Sequence, residues 1–341
     1  MTTQVTNEVS MRPELSQSTR AVAARFMRRN GSQIGIVGVF LLVWIYFILA
    51  APETFQSKEI YASLMMAVPL FGIVALPLTM VVIAGEMDLS FPSVMAVGMV
   101  AFTKVYPETD SLMLAFLACL AAGFGVGLLN GLLVVRVGVP SLIATIGTQY
   151  FWRGVVNVMT EGHSDTYFET RGMALREALV GQTNGFWEHE MFWMVVVGVI
   201  VWLLMNRHSF GAHIYLIGDN EESARLMGVN VDRTKILTFA IVGLAAAFAG
   251  ALSALQLSTF FPTLGQGQMM PALSAVFLGG TSVFGGTGTI VGTFVGCYVF
   301  GMIKPGLIAV GMTGYYTELV NGSVIVLALT MHTILRRRMM T

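Results

Sequence analysis

Charge is what this chain has least of. Nineteen basic and 19 acidic residues make up only 11% of 341 positions, where a soluble globular chain carries about a quarter. With 55% hydrophobic residues and a mean hydropathy of +0.74, too few ions remain to cover a water-facing surface, so a soluble fold is excluded. The even balance of signs leaves no net field to gather a polyanion, which sets nucleic acid aside as a partner. Cysteine is nearly absent: Cys119 and Cys297 are too few for a disulfide framework and too far apart for a zinc-ligand pair. Both sit in apolar runs and read as small hydrophobes inside a helix bundle. Catalytic and nucleotide motifs are missing as well. Gly125-x-Gly127 and Gly286-x-Gly288 lack a following x-x-Gly, no Gly-Lys dipeptide occurs, and there is no His-Glu-x-x-His or Gly-x-Ser-x-Gly. The chain is therefore expected to be no enzyme and to bind no metal or cofactor itself.

What it has instead is uncharged length. A membrane-spanning helix needs about 20 mostly apolar residues, and residues 34–51, 60–85, 89–103, 111–135 and 191–206 contain no ion. Residues 236–303 form one uninterrupted uncharged stretch of 68, room for about three passes with their turns. Residues 137–160 and 305–335 each hold a single ion, Arg153 and Glu318. The expectation is an all-α polytopic membrane protein with about ten transmembrane helices. Because Lys and Arg accumulate on the cytoplasmic side, an inner amino terminus is expected: it places thirteen basic residues inside against five outside. An even number of passes returns the carboxyl terminus to the same side, where Arg336, Arg337 and Arg338 stand. The organisation read this way is a cytoplasmic tail over 1–33, a transmembrane domain over 34–335 and a cytoplasmic tail over 336–341.

Two hydrophilic segments separate the spans. Residues 161–190 form the longest outer loop, rich in acids and flanked by Trp187 and Trp193, whose indoles suit a membrane interface. Residues 207–235 form the longest inner loop and carry the punctuation of one short helix: Asp219 with Glu222 three residues on as a start, Gly228 as a stop. Two turns are unstable alone in water, so this helix is expected to pack on the chain or on a partner covering Leu226, Met227 and Val229.

The chain also repeats. Gly123, Gly127 and Gly131 are spaced like Gly288, Gly292 and Gly296, and Pro140 and Pro305 follow each set by nine, all at an offset of 165 that sets Arg153 opposite Glu318. Pro92 with Ala96-Val97 matches Pro271 with Ala275-Val276 at an offset of 179. Five spans between equivalents make the two copies run oppositely, an inverted repeat of the kind that places a solute path between halves. The glycines at fourfold spacing read as packing seams.

Gly218-Asp219-Asn220-Glu221-Glu222-Ser223-Ala224-Arg225-Leu226-Met227-Gly228-Val229-Asn230 resembles the cytoplasmic coupling segment of the permease subunits of ABC importers for ribose, xylose, arabinose and galactose. Similar motifs run along most of the chain: Asp88-Leu89-Ser90, Ala144-Thr145-Ile146-Gly147-Thr148 with Arg153-Gly154, and Leu278-Gly279-Gly280-Thr281-Ser282 with Gly285-Gly286-Thr287-Gly288-Thr289. The chain departs from the family pattern Gly-Gly-Ile-Asp-Leu-Ser-Val-Gly, reading Gly85-Glu86-Met87-Asp88-Leu89-Ser90-Phe91-Pro92.

The resemblance implies a type II ABC importer fold and a permease subunit that moves a small polar solute, a monosaccharide ahead of others, from periplasm to cytoplasm. Its implied partners are an ABC ATPase carrying ATP and Mg, a periplasmic solute-binding protein, a second permease copy or a paralogue, and membrane lipid. Asp219, Asn220, Glu221, Glu222, Ala224, Arg225, Leu226, Met227 and Gly228 are the implied ATPase-coupling residues. Glu221, Glu222 and Arg225 would supply polar contacts and Leu226 with Met227 would fill a groove. Glu86, Asp88, Ser90, Arg153, Asn157 and Glu318 are candidates for the translocation path or its gating, because ions within a membrane face a bundle interior or a water-filled path. For Glu86 and Asp88 a solvated helix end and a gate are both open; for Arg153 and Glu318, a direct ion pair and separate outward reach are both open. An ion-coupled secondary transporter, using Glu318, and a permease for a nucleoside, a furanosyl signal or an amino acid remain as alternatives.

Overall fold

The computed structural model describes residues 33–312 and 314–340. The amino-terminal tail expected over 1–33 falls almost wholly outside the described residues. Among them, nine helices have 18 residues or more: α1 Gln33–Ala50, α3 Lys58–Ile83, α4 Phe91–Thr109, α5 Leu112–Leu132, α6 Ser141–Thr160, α8 His189–Arg207, α11 Val231–Leu257, α13 Ile290–Ala309 and α14 Tyr315–Met340. Six of these, α1, α3, α5, α8, α11 and α13, are long and apolar enough to cross a membrane; α4, α6 and α14 have the length with more polar residues. A shorter apolar helix, α12 Met269–Leu278, lies among them and at ten residues is too short to cross alone. The remaining helices are short: α2 Pro52–Phe55, α7 Ala174–Val180, α9 Ser209–Asp219 and α10 Glu221–Leu226. α14 continues through Met340, so residues 336–340 extend a helix that does not end at 335.

Position in the bundle follows from how apolarity is distributed around each helix. α3 is apolar on every side, and from Val68 to Ile83 nearly all of its residues are buried, which makes it the axis of the bundle. The polar Thr79 is tolerated there because its hydroxyl donates to the Ala75 carbonyl and shares a 2.8 Å hydrogen bond with Thr293 of α13. α8 instead buries one stripe, Glu190, Met194, Gly198, Val201 and Met205, and presents Phe192, Val199, Ile200 and Leu203 outward. In lipid an outward apolar face carries no penalty, and helices associate through close packing instead.

That packing runs on small residues. A side chain at Gly123 would strike Ala247, at Gly127 the Phe239 carbonyl, and at Gly131 the backbone of Ile236 at 2.9 Å. α5 and α11 are thus pressed backbone to backbone, and the contacts ascend α5 while they descend α11, so the two helices are antiparallel. The second glycine series has a different neighbour, since Gly292 and Gly296 abut Gly279 and Ala275 at the end of α12.

Two four-helix units repeat, α3-α4-α5-α6 and α11-α12-α13-α14. Their first residues, 58 and 231, 91 and 269, 112 and 290, 141 and 315, lie 173, 178, 178 and 174 positions apart. α3 ends at Ile83 against Gly218 and Gly286, the same end of the bundle at which α11 begins beside α10, so the units run oppositely. The 179 offset is therefore the register of the fold and the 165 offset is not. At 165, Gly123 in mid-α5 is set against Gly288, which precedes α13, and Arg153, thirteenth residue of α6, against Glu318, fourth of α14. Glycine at fourfold spacing recurs wherever helices pack tightly, so it matched two unequal seams.

At the opposite end from α10, the segment between α6 and α8 folds back on the end of α11. Asp165–Thr166 (β1) pairs antiparallel with Thr259–Phe260 (β4), with Asp165 facing Phe260. The buried Arg176 donates to the Leu255 carbonyl and to Ser258 Oγ, both at 2.8 Å. A two-stranded hairpin, Gln182–Thr183 (β2) with Trp187–Glu188 (β3), leads into α8.

Candidate functional site

The segment between α8 and α11 holds two helices where the sequence suggests one. α9 wedges its carboxyl end into the bundle: a side chain at Gly218 would collide with the Ile83 carbonyl and lie 2.5 Å from Gly286 N. Gly286 N–H donates to that same carbonyl, and Tyr215 Oη donates to the Gly288 carbonyl at 2.8 Å. α10 then begins one residue later than expected. Its cap is Asn220, whose side-chain oxygen accepts from Ser223 N–H at 2.7 Å, while Asp219 is the last residue of α9. Gly228 ends the helix as the sequence suggests, with φ +83°, and Val229 N–H reaches back to the Ala224 carbonyl. Ala224 is buried with Ile217 and Val231 in a small apolar cluster that Val229 completes. Asn230 caps α11 through its side-chain oxygen and Arg233 N–H, so the membrane helix starts earlier than residue 235.

The charges of α10 divide into two groups. Arg225 donates to Glu221 Oε1 at 3.1 Å and to Asp232 Oδ1 at 2.7 Å. The other oxygen of Glu221 accepts from Lys235 Nζ at 2.7 Å, and Lys235 also reaches Glu86 Oε1 at 2.6 Å. Glu221 is held below the ordinary carboxylate range, first by the hydrogen bond from Lys235 and further by the charges of Lys235 and Arg225. Glu221 and Arg225 are therefore engaged within the chain while their side chains stay about half exposed, at 44% and 51%. Glu222 remains outward, with Leu226 85% and Met227 61% exposed. On a helix fastened on its other face, these form an apolar knob with an acidic margin.

The connection 84–90, between α3 and α4, is pinned to three helices. Asp88 is 1% exposed and Ser90 fully buried. Asp88 Oδ1 accepts from Ser90 N–H at 2.8 Å and from Ser90 Oγ at 2.5 Å, and Asn130 of α5 donates to Ser90 Oγ at 2.7 Å. Asp88 Oδ2 and Asn130 Oδ1 have no hydrogen-bond partner among the described residues. Met87 N–H donates to Ser141 Oγ at 3.0 Å, which fixes the connection to the first turn of α6; Thr145 Oγ1 donates to the Ser141 carbonyl at 2.7 Å and lies 3.3 Å from that of Met87. Asn130, a lone amide inside the run 111–135, was the one sequence signal for this cluster that the motif reading passed over.

Arg153 does not pair with Glu318. Its guanidinium donates to the carbonyls of Pro92 at 2.8 Å, Leu264 at 3.0 Å and Pro262. Pro92 opens α4 and residues 262 and 264 lie in the connection 258–268 before α12, so one arginine on α6 ties both units at their breaks. Gly265, at φ +83°, lets the second connection press on the Pro92 carbonyl. Asn157 lies exposed one turn further along α6, and its carbonyl closes the helix by accepting from Gly162 N–H. Glu318 is exposed in the first turn of α14 and joins no ion pair among the described residues.

A polytopic helical bundle with an inverted repeat, broken segments meeting inside it and a fastened knob at one end is the architecture of a membrane transport subunit. The chain belongs to the family described as branched-chain amino acid transport system / permease component, whose model matches residues 60–329. It is 33% identical over 298 residues to the ribose import permease protein RbsC of Escherichia coli, covering 87% of this chain and 92% of that one. To the L-arabinose ABC transporter permease protein AraH of Azospirillum brasilense it is 31% identical over 327 residues, 94% of each. The autoinducer 2 import system permease protein LsrD of Yersinia enterocolitica is 32% identical over 259 residues, 75% of this chain and 78% of that one. No solved structure matches. These relatives place the chain among the monosaccharide-type ABC permeases, as a multi-pass permease subunit of an importer.

Proposed function

We propose that this chain is the membrane subunit of an ATP-driven importer that carries a monosaccharide into the cytoplasm, with α10 on the cytoplasmic side. The observation that carries the reading is the outward pair Leu226 and Met227 on a two-turn helix whose other face is fixed by Ala224, Glu221 and Arg225. Exposed apolar side chains beyond the spans, on an ion-braced mount, suit a groove on a partner protein. That partner is an ATPase carrying ATP and Mg. A periplasmic binding protein delivers solute at the β1–β4 end, and a second permease, identical or paralogous, completes the path. The relatives that import ribose and arabinose favour a sugar.

When the ATPases close around ATP, their surface moves α10, and the two opposed units open alternately to either side. Asp88, Ser90 and Asn130 hold one break and Arg153 holds both together, so these residues position the path. The reading is tested by tagging the chain in its native membrane, cross-linking mildly and identifying what is recovered. An ATPase and a solute-binding protein are expected, and Leu226→Asp with Met227→Asp abolishes ATPase recovery while the chain still inserts. Uptake driven by an ion gradient, indifferent to ATP depletion, refutes it.

A further inference from the structure

The polar contacts of α10 continue into the bundle as an unbroken series. Lys235, in the second turn of α11, is 8% exposed and bridges Glu221 of α10 and Glu86 of the 84–90 connection at 2.7 and 2.6 Å. Neither carboxylate can leave without stripping a buried ammonium of a partner, which makes the bridge stiff. Met87, next to Glu86, donates its N–H to Ser141 Oγ at 3.0 Å, and its carbonyl lies 3.3 Å from Thr145 Oγ1, both at the start of α6. α6 buries the stripe Ser141, Ala144, Thr145 and Val156 and leaves Ile143, Tyr150, Phe151 and Val158 outward; apart from the Met87 contact it is tied to α4, where Ser93 Oγ donates to the Gln149 carbonyl at 2.8 Å. Along that helix sits Arg153, with its three carbonyls on both breaks.

We propose that Lys235 and Glu86 form a relay that transmits displacement of α10 to α6 through Met87, and hence to the two breaks held by Arg153. The proposal rests on reading α10 as the ATPase-facing segment. Both are positioning residues. A second set of contacts, Tyr215 to Gly288 and Gly218 against Gly286 and the Ile83 carbonyl, joins α9 to the segment before α13 and to the end of α3; unlike the relay it involves no ion pair.

The test is amide hydrogen exchange on the full permease–ATPase complex, with and without trapped ATP. In the wild type, trapping changes exchange in both 219–228 and 141–147. In Glu86→Gln the response of 219–228 is retained and that of 141–147 falls about tenfold; Lys235→Gln behaves alike, the double variant is no worse than either, and Lys235→Arg retains the response. A merely structural role raises exchange of 141–147 equally in both nucleotide states, leaving the difference intact, and that result overturns the relay. An unresponsive 141–147 in the wild type overturns it as well, which settles the matter should Glu86→Gln not insert. If the wild-type chain recovers no ATPase and 219–228 ignores ATP, the reading of α10 has failed instead.

Discussion

The connections 84–90 and 258–268 occupy the same place in their four-helix units, yet opposite chemistry holds them. The first is seven residues long and brings its own anchors: Asp88 and Ser90 bond each other and Asn130, and Glu86 reaches Lys235. The second is eleven residues long, contains no charged side chain, and is held from outside: β1 and Arg176 take its first residues, 258–260, and Arg153 on α6 collects the carbonyls of Pro262 and Leu264. A break inside a membrane bundle leaves backbone groups that water cannot satisfy. One unit meets that demand largely with side chains within the loop, the other by lending its backbone groups to β1 and its carbonyls to Arg153. The comparison shows that a repeat can conserve the place of a break without conserving what satisfies it. It also shows why Arg153 lacks a symmetry partner.

The largest effect expected is at Arg153. Arg153→Met leaves three carbonyls without their donor and should cost about 3 kcal/mol or more, read as a lowered midpoint of thermal unfolding in detergent. Arg153→Lys recovers only part, since an ammonium lacks the planar fork that spans several acceptors. A wild-type midpoint for the methionine variant would mean the second connection is not held by the cation. Next in size is Gly265→Val, which combines a left-handed backbone with a side chain driven at the Pro92 carbonyl and should cost about 2 kcal/mol.

The first connection is probed by a pair of variants at Asp88. Asp88→Ala removes the acceptor for Ser90 N–H and Oγ and should cost about 2 kcal/mol, whereas Asp88→Asn keeps that oxygen and should stay within about 1 kcal/mol of wild type. Equal losses would show that the charge, not the acceptor, holds the loop. The smallest effect concerns pH. Glu221 has a lowered pKa in the fold, from an ordinary 4.5. Its contribution to fastening α10 is therefore complete above that ordinary value and is lost as pH falls through the lower, folded value. Amide exchange in 219–228 should be flat in its protection from neutral pH down to the ordinary carboxylate range and rise only below it. Loss of protection near neutral pH would contradict the Lys235 bridge.

Arg225→Glu bears on α10 itself. It places a third carboxylate beside Glu221 and Asp232, so it should unfasten the helix as well as abolish uptake, and exchange in 219–228 separates this from loss of a partner contact alone.

Much of this was legible along the chain because membrane burial is a one-dimensional rule. Uncharged length marked the spans, Gly228 marked a helix end that needs a left-handed residue, and the 179 offset marked the repeat. The coupling segment was legible as a motif, although its start moved from Asp219 to Asn220 because the amide side chain caps Ser223. Lys235 was visible only as one more basic residue on the expected inner side, since nothing in its neighbourhood names Glu86, 149 positions away.

The sequence by itself determined that this chain lives in a membrane, crosses it many times, repeats with inversion and carries a short amphipathic segment of permease type. Those properties follow from composition and local pattern, which lipid reads residue by residue. Only the tertiary structure decided who satisfies whom. Arg153 is answered by backbone carbonyls, which no residue type announces, and Glu221 and Arg225 find ion-pair partners because Lys235 and Asp232 arrive from another helix. Long-range pairing depends on how opposed helices stack, and glycine spacing that permits close packing in many registers does not choose one.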